Sequence, residues 1–133
     1  MTPTIALVTI LTDDVPALTR FYRDVLGFPL EHGPGDYVEF RSPGVRFALC
    51  ARHVTAEATR HPSYAEPRRG QTFELAFPLP TPAEVDAAYT DLVARGATPI
   101  GGPADMPWGQ RAAFFADPDG NIHELFAVLA QGS

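Results

Sequence analysis

Residues 117–126 read Asp-Pro-Asp-Gly-Asn-Ile-His-Glu-Leu-Phe, and this stretch carries the pattern that decides the fold. Its first four residues, 117–120, combine aspartate, proline and glycine, as tight turns do. The runs on either side, residues 110–116 and 122–129, are apolar and rich in residues that favour strands. The stretch therefore predicts a β-hairpin near the end of the chain, with a four-residue turn at 117–120.

Upstream of this hairpin the sequence predicts a strand, a helix and a second short strand. Residues 72–79 have the apolar character of a buried strand. Thr81-Pro82-Ala83-Glu84 is a capping box with proline at the first helical position, so a helix begins there. Residues 97–100 predict a strand. Residues 101–109 predict a loop that carries Trp108.

The first half of the chain shows the same order of elements. Residues 4–12 predict a buried strand, and Asp13-Asp14 with Pro16 predicts the start of a helix. Three further strands are predicted at 28–32, 36–42 and 45–52. The repeat predicts an α+β fold of two βαβββ modules, at about 4–52 and 72–129, joined by a polar linker at 53–71 with a short helical turn at 56–60.

Composition and charge exclude several classes of protein. The chain has 133 residues, 45% apolar and 20% charged, so we assign residues 1–133 to one globular domain. Its net charge of −6 disfavours nucleic acid as a partner. No run approaches the ~20 apolar residues of a membrane span, and the first residues lack a signal-peptide pattern, so no membrane partner is expected. With Cys50 as its single cysteine, the chain forms no internal disulfide, and we expect a cytoplasmic protein.

Four motifs of this chain resemble the vicinal-oxygen-chelate superfamily, which includes glyoxalase I, extradiol dioxygenases, fosfomycin-resistance enzymes and bleomycin-resistance proteins. The resemblance spans about residues 4–128. It implies that the two modules form a curved mixed sheet, a cup around a ligand, with the helices on its outer face. It also implies a homodimer, with strands exchanged between chains. The motifs are Asp14-Val15, the run 21–28 (FYRDVLGF), the run 74–77 (ELAF) and the run 117–126.

The enzymes of this superfamily hold a divalent metal through side chains at four positions. By resemblance those positions are Leu7, Ala48, Glu74 and Glu124. Leucine and alanine have no donor atom, whereas a catalytic metal normally takes three protein ligands. We therefore expect no metal, no cofactor and no catalytic residue of the usual kind, and the missing ligands favour a binding protein over an enzyme.

Strand alternation predicts which side chains line the cup. If Glu124 faces the ligand, His123 faces away. A four-residue turn would then pair Ala113 with Glu124 and Phe115 with Ile122. The predicted ligand-binding residues are Leu7, Thr9, Tyr37, Glu39, Arg46, Glu74, Trp108, Arg111, Phe115, Ile122, Glu124 and Phe126. An alternative gives the carboxylates a structural role, with Glu74 and Glu124 in ion pairs with Arg111 and Arg46.

Trp108 is the predicted aromatic anchor. Pro107-Trp108-Gly109 resembles the corresponding stretch of bleomycin-resistance proteins, where a tryptophan stacks on the drug. Those relatives lack the metal ligands and sequester the drug unaltered. The alternative interpretation places Trp108 in a dimer interface. His53 and His61, in the predicted linker, are interpreted as surface residues.

Two main functions remain open at this point. The first is a non-catalytic self-resistance protein that sequesters an aromatic or cationic natural-product antibiotic, such as a bleomycin, mitomycin or enediyne. The second is a lyase, isomerase or oxygenase with an atypical metal site, or with metal-free acid–base chemistry at Glu74 and Glu124. A regulatory module that binds an unrelated ligand is a third possibility.

Overall fold

The computed structural model describes residues 1–130. The chain divides into two compact units, and the boundary along the sequence lies between Arg69 and Gly70. Each unit contains a four-stranded mixed sheet, and the chain has the predicted α+β class. Residues 131–133, which the sequence analysis assigns to the same domain, lie outside the described residues.

The first unit has the predicted order of strand, helix and three strands. Its sheet runs β1-β4-β3-β2, with β1 parallel to β4 and the other neighbours antiparallel. Helix α1 continues beyond Arg20 as a π-helical turn over Phe21–Val25. The elements are β1 (Leu7–Thr12), α1 (Val15–Arg20), β2 (Leu30–His32), β3 (Tyr37–Phe40), β4 (Arg46–Ala51) and α2 (Arg52–Thr59).

Helix α1 begins where its capping residue predicts. The Asp14 carboxylate accepts a hydrogen bond from the backbone N–H of Ala17 at 3.0 Å. The helix buries Val15 and Leu18 and packs on β3 and β4. The following turn adds Tyr22, whose ring lies 5.1 Å from that of Phe47 between centroids. Burial of these side chains holds the helix on one face of the sheet.

The predicted linker contains more structure than its composition suggests. Instead of a short turn at 56–60, an eight-residue helix runs from Arg52 to Thr59, and its C-cap residue, Arg60, adopts a left-handed conformation. The Arg52 guanidinium donates hydrogen bonds to the carbonyls of Tyr64 and Glu66 at 2.8 and 3.0 Å. This contact between distant residues fastens the segment within the first unit.

The second unit repeats the element order. Its sheet runs β5-β8-β7-β6, with β5 parallel to β8. Thr81 caps α3 by accepting from the N–H of Glu84 at 3.3 Å, as predicted, and the helix buries Val85 and Leu92. The elements are β5 (Ala76–Pro78), α3 (Pro82–Ala94), β6 (Thr98–Asp105), β7 (Gln110–Ala116) and β8 (Ile122–Val128).

Two strands of this unit differ in length from the prediction. Strand β5 begins at Ala76 and not at residue 72. Strand β6 runs to Asp105 through residues that the sequence predicts as loop. It is an edge strand, where proline and glycine are tolerated, and its pairing with β7 shifts register on either side of Gly101. Among residues 1–130, no helix has the length and apolar character that a membrane crossing needs.

Candidate functional site

The hairpin of β7 and β8 has a five-residue loop, 117–121, and not the predicted four-residue turn. The backbone N–H of Asp117 donates to the carbonyl of Asn121 at 3.0 Å. The Asp117 carboxylate, which is buried, accepts from both the backbone and the side-chain amide of Asn121. The extra residue pairs Phe114 with Glu124 and Phe115 with His123. The predicted pairings of Ala113 and Phe115 are therefore wrong by one residue.

This shift moves two predicted ligand-binding residues, Arg111 and Phe115, to the opposite face of the sheet. Phe115 is fully buried, with its ring centroid 6.2 Å from that of Phe77. Arg111 binds Asp86 on α3 at 2.7 Å and Asp105 at 3.0 Å. Both side chains belong to the face that carries α3. Phe114 was not predicted as a site residue. It lies opposite Glu124 and shares its face of the sheet.

A groove of about 380 Å³ lies on this face of the second unit. Glu74 and Ile122, both predicted site residues, lie in its wall beside Phe114. The segment that precedes β5 supplies the remaining wall: Gln71, from the predicted linker, with Thr72 and Phe73, from the predicted strand. None of these three was predicted as a site residue. The lining residues are Gln71, Thr72, Phe73, Glu74, Phe114 and Ile122.

Glu74 and Glu124 form a carboxyl pair at this groove. The N–H of Glu124 donates to the carbonyl of Leu75 at 2.9 Å, so β8 holds the residue that follows Glu74. Glu124 is buried, and burial raises the pKa of its carboxyl. A hydrogen bond with the Glu74 carboxyl and repulsion from its charge raise this pKa further.

The alternative in which Glu74 and Glu124 form ion pairs with Arg111 and Arg46 is wrong, because both arginines have other partners. Arg46 binds Glu39 with contacts of 2.7 and 2.8 Å. Arg111 binds the two aspartates described above.

The predicted residues of the first unit do share one face. Strand pairing aligns Thr9 with Ala48 and with Glu39, and Leu7 with Arg46. Tyr37 donates to Glu39 at 2.7 Å. Arg46, and then Tyr37, lower the pKa of Glu39 to about 2. Burial and the hydrogen bond to Glu39 raise the pKa of Tyr37. The polar groups on this face thus satisfy one another, and their role toward a ligand stays a prediction.

Trp108 and Phe126 lie on the second unit but outside the lining of the groove. Trp108 sits in the turn between β6 and β7, 60% exposed, and its indole N–H donates to Gln110 at 3.1 Å. Gln110 precedes Phe114 by four residues on β7, which corresponds to about 13 Å along a strand. Phe126 shares the face of Glu124, opposite Ala112.

The donor set does not fit the metal centre of related enzymes. Leu7 and Ala48 offer hydrocarbon at two of the four positions, which leaves the carboxyl groups of Glu74 and Glu124 as the donors at the other two. Within residues 1–130, no group of three or more His, Cys, Asp or Glu side chains is placed to hold a metal ion. His123 is buried on the opposite face, as predicted, and His53 is exposed beside Asp36. Elemental analysis of the untagged protein tests the predicted absence of a metal.

Comparison with known proteins decides the family. The profile of the Glyoxalase/Bleomycin resistance protein/Dioxygenase superfamily matches residues 4–125. The chain belongs to this superfamily. This confirms the resemblance inferred from the four sequence motifs.

Relatives within the superfamily carry different names. A glyoxalase/bleomycin resistance protein/dioxygenase from Nocardioides is 37% identical, with a TM-score of 0.88 over 100% of this chain and 88% of its own. Bacillus subtilis YraH, an uncharacterized protein, is 29% identical over 92% of this chain and 96% of its own. A lactoylglutathione lyase from Agrobacterium tumefaciens is 28% identical, with a TM-score of 0.69 over 93% of this chain and 92% of its own. These relatives establish the fold. The activity has to be inferred from the residues of the site.

Proposed function

We propose that this protein binds a small natural product without altering it, and that the groove of the second unit anchors the ligand. The observation that carries the proposal is the carboxyl pair of Glu74 and Glu124 beside the apolar wall formed by Phe73, Phe114 and Ile122. Ligand sites commonly combine an apolar lining with a few placed polar groups, and a volume of about 380 Å³ suits a small molecule.

The chemistry of the pair indicates what the ligand presents to it. Carboxyl oxygens have lone pairs that accept hydrogen bonds, so an amine or amide N–H is the complementary group. The net charge of −6 favours a cationic ligand over an anionic one. The flat side chain of Phe114 suits an aromatic or planar group next to that N–H.

Sequestration of an antibiotic is the form of this function that we favour. Leu7 and Ala48 replace the metal ligands that related enzymes use, which supports binding over turnover. Gln110, which accepts the hydrogen bond from Trp108, lies about 13 Å from Phe114 along β7, and this separation suits a ligand large enough to reach beyond the groove. Bleomycins, mitomycins and enediynes remain the proposed ligand classes.

A metal-free enzyme is the second candidate, and one observation favours it. The pKa of Glu124 is raised by burial and by Glu74, and a raised pKa suits a carboxyl group to act as a general acid. An isomerase or lyase acting on an acidic C–H group would use such a group. Recovery of a chemically changed ligand would favour this candidate.

Calorimetric titration with metal-free bleomycin and with mitomycin C tests the proposal. We expect Phe114→Ala to weaken binding at least tenfold, which corresponds to about 1.4 kcal/mol, because the substitution removes a wall of the groove. Ile100→Ala is the matched control, since Ile100 is half exposed on edge strand β6 and outside the groove lining. Equal affinities for wild type and Phe114→Ala would refute the groove as the site.

A further inference from the structure

The backbone of Leu75 is held at two points by consecutive residues of β8. Its carbonyl accepts from the N–H of Glu124 at 2.9 Å. Its N–H donates to the side-chain Nδ1 of His123 at 3.1 Å. Leu75 lies just before the regular pairing of β5, which starts at Ala76. The His123 side chain thus holds the backbone of Leu75, the last residue before β5.

Gln71 fastens the other end of the same segment. Its side-chain amide donates to the carbonyl of Gly120 at 2.8 Å and accepts from the N–H of Ile122 at 3.1 Å. Residues 71–75 are therefore held against the start of β8 by one side chain at each end. Thr72, Phe73 and Glu74 lie between these two attachments and line the groove.

The surroundings of His123 keep its ring in one orientation. The side chain is fully buried. Its ring centroid lies 5.9 Å from that of Phe115, 6.2 Å from Phe73 and 6.3 Å from Phe77. Nδ1 accepts from Leu75, so in the neutral ring the proton belongs on Nε2, which lies 3.9 Å from the Asp117 carboxylate. Asp117 is the charged group that faces the ring, and Glu124 projects from the other face of β8.

We propose that His123 is a positioning residue for the ligand groove, which holds Leu75 so that Phe73 and Glu74 stay in the groove wall. This inference rests on the proposed function, because it concerns the wall that contacts the ligand. Without an acceptor at Nδ1, the part-buried N–H of Leu75 loses its partner and the segment 71–75 loosens. Phe73 and Glu74 then lose their fixed places in the wall.

Two variants of similar shape distinguish the effect of the hydrogen-bond acceptor from the effect of ring packing. Asparagine carries its side-chain oxygen as many bonds from Cα as Nδ1 is in histidine, and leucine carries a methyl group at that place. His123→Asn and His123→Leu remove the rest of the ring equally. They differ in whether the N–H of Leu75 finds an acceptor.

Amide hydrogen exchange at Leu75 in the wild type and both variants is the test. We expect the Leu75 N–H to exchange at its wild-type rate in His123→Asn and at least tenfold faster in His123→Leu, because only leucine leaves this N–H without an acceptor. The N–H of Ala17, capped by Asp14 in the first unit, should keep its exchange rate throughout. An unchanged Leu75 rate in a folded His123→Leu, or the same increase in both variants, would overturn the proposal.

A measurement on the wild type decides the matter if His123→Leu does not fold. Long-range proton–nitrogen NMR spectra report which ring nitrogen carries the proton. A proton on Nε2 with a free Nδ1 supports the proposal, and a proton on Nδ1 overturns it. Neither experiment uses a ligand, so failure to bind any antibiotic would refute the proposed function and leave this inference to be judged separately.

Discussion

Glu124 is the residue whose charge state matters most to this account. Its pKa is raised by burial first, and then by its hydrogen bond with Glu74 and by the charge of Glu74. The folded state therefore holds a proton at pH values where the unfolded state has released it. The free energy of unfolding falls as pH rises from the unfolded to the folded pKa, and the loss persists above that range.

Glu124→Gln should remove this loss. The variant cannot ionise, so we expect it to be more stable than the wild type at neutral pH by about 0.5–1 kcal/mol, a value on the scale of side-chain pairs that face each other across a sheet. The advantage should shrink as pH falls and the wild-type carboxyl becomes protonated. Urea unfolding at about pH 4 and about pH 8 measures it.

The control for this prediction is Glu31→Gln on the surface. Glu31 pairs with Arg41 at 3.0 Å, and both side chains are more than half exposed, so little change is expected. A Glu124→Gln variant less stable than the wild type at neutral pH would show that the ionised pair contributes to stability.

Trp108 gives the second prediction at this scale. We expect Trp108→Ala to weaken antibiotic binding by about thirtyfold or more, as loss of a stacked aromatic anchor does. The unfolding midpoint should stay unchanged because the side chain is 60% exposed and lies in a turn. Calorimetry and thermal melts check both parts. Unchanged affinity would exclude Trp108 from the binding site.

At the scale of elements, the loop of the last hairpin sets the face of every residue on β7. Asp117 is buried, and its carboxylate accepts from the N–H groups of Asp119 and Asn121 at 2.9 Å each and from the Asn121 side chain at 2.7 Å. Asp117→Ala should destabilise the fold by about 2–3 kcal/mol, since buried donors would lose a charged acceptor. Chemical denaturation measures this loss.

Asp91→Ala is a suitable comparison for Asp117→Ala. Asp91 makes an exposed contact of 3.1 Å with Arg95 on α3, and such pairs contribute about 0.3–0.5 kcal/mol. If the two substitutions lower the free energy of unfolding by the same amount, the Asp117 hydrogen bonds are not what stabilises the loop.

The same loop shows where sequence reasoning reaches its limit. Turn composition indicated a hairpin at Asp117, and strand alternation gave the correct common face for Glu39 and Arg46 in the first unit. Neither turn composition nor strand alternation could show whether Asn121 belongs to the loop or to β8. That choice depends on hydrogen bonds to the Asp117 side chain, and one residue reverses the face of Arg111 and Phe115.

Contacts between distant residues explain the other differences. The polar sequence of α2 predicts little helix by itself, and Arg52 ties that helix to carbonyls at residues 64 and 66. Pairing with β7 extends β6 through glycines and prolines that are typical of loops. By contrast, Asp14 and Thr81 predicted both helix starts correctly, because capping depends on neighbouring residues.

At the scale of the whole molecule, we predict a homodimer. Several large apolar side chains are exposed in the described chain, and apolar surface of this kind marks interfaces when it is contiguous. A two-fold contact between identical surfaces is the commonest way to cover it. Light scattering at micromolar concentration should give twice the chain mass of 14.4 kDa, and a monomer would contradict the prediction. The exposed side chains include Ile5, Leu7, Ile100, Trp108 and Val128.

The central claim is that the molecule holds its ligand at the carboxyl groove and releases it unchanged. Affinity-selection mass spectrometry tests this claim most directly, with the protein incubated with a mixture of bleomycin, mitomycin and enediyne compounds. We predict that wild-type protein retains a compound of unaltered mass and that Phe114→Ala, folded but with an incomplete groove, does not. A retained compound whose mass has changed, or equal retention by Phe114→Ala, would contradict the account.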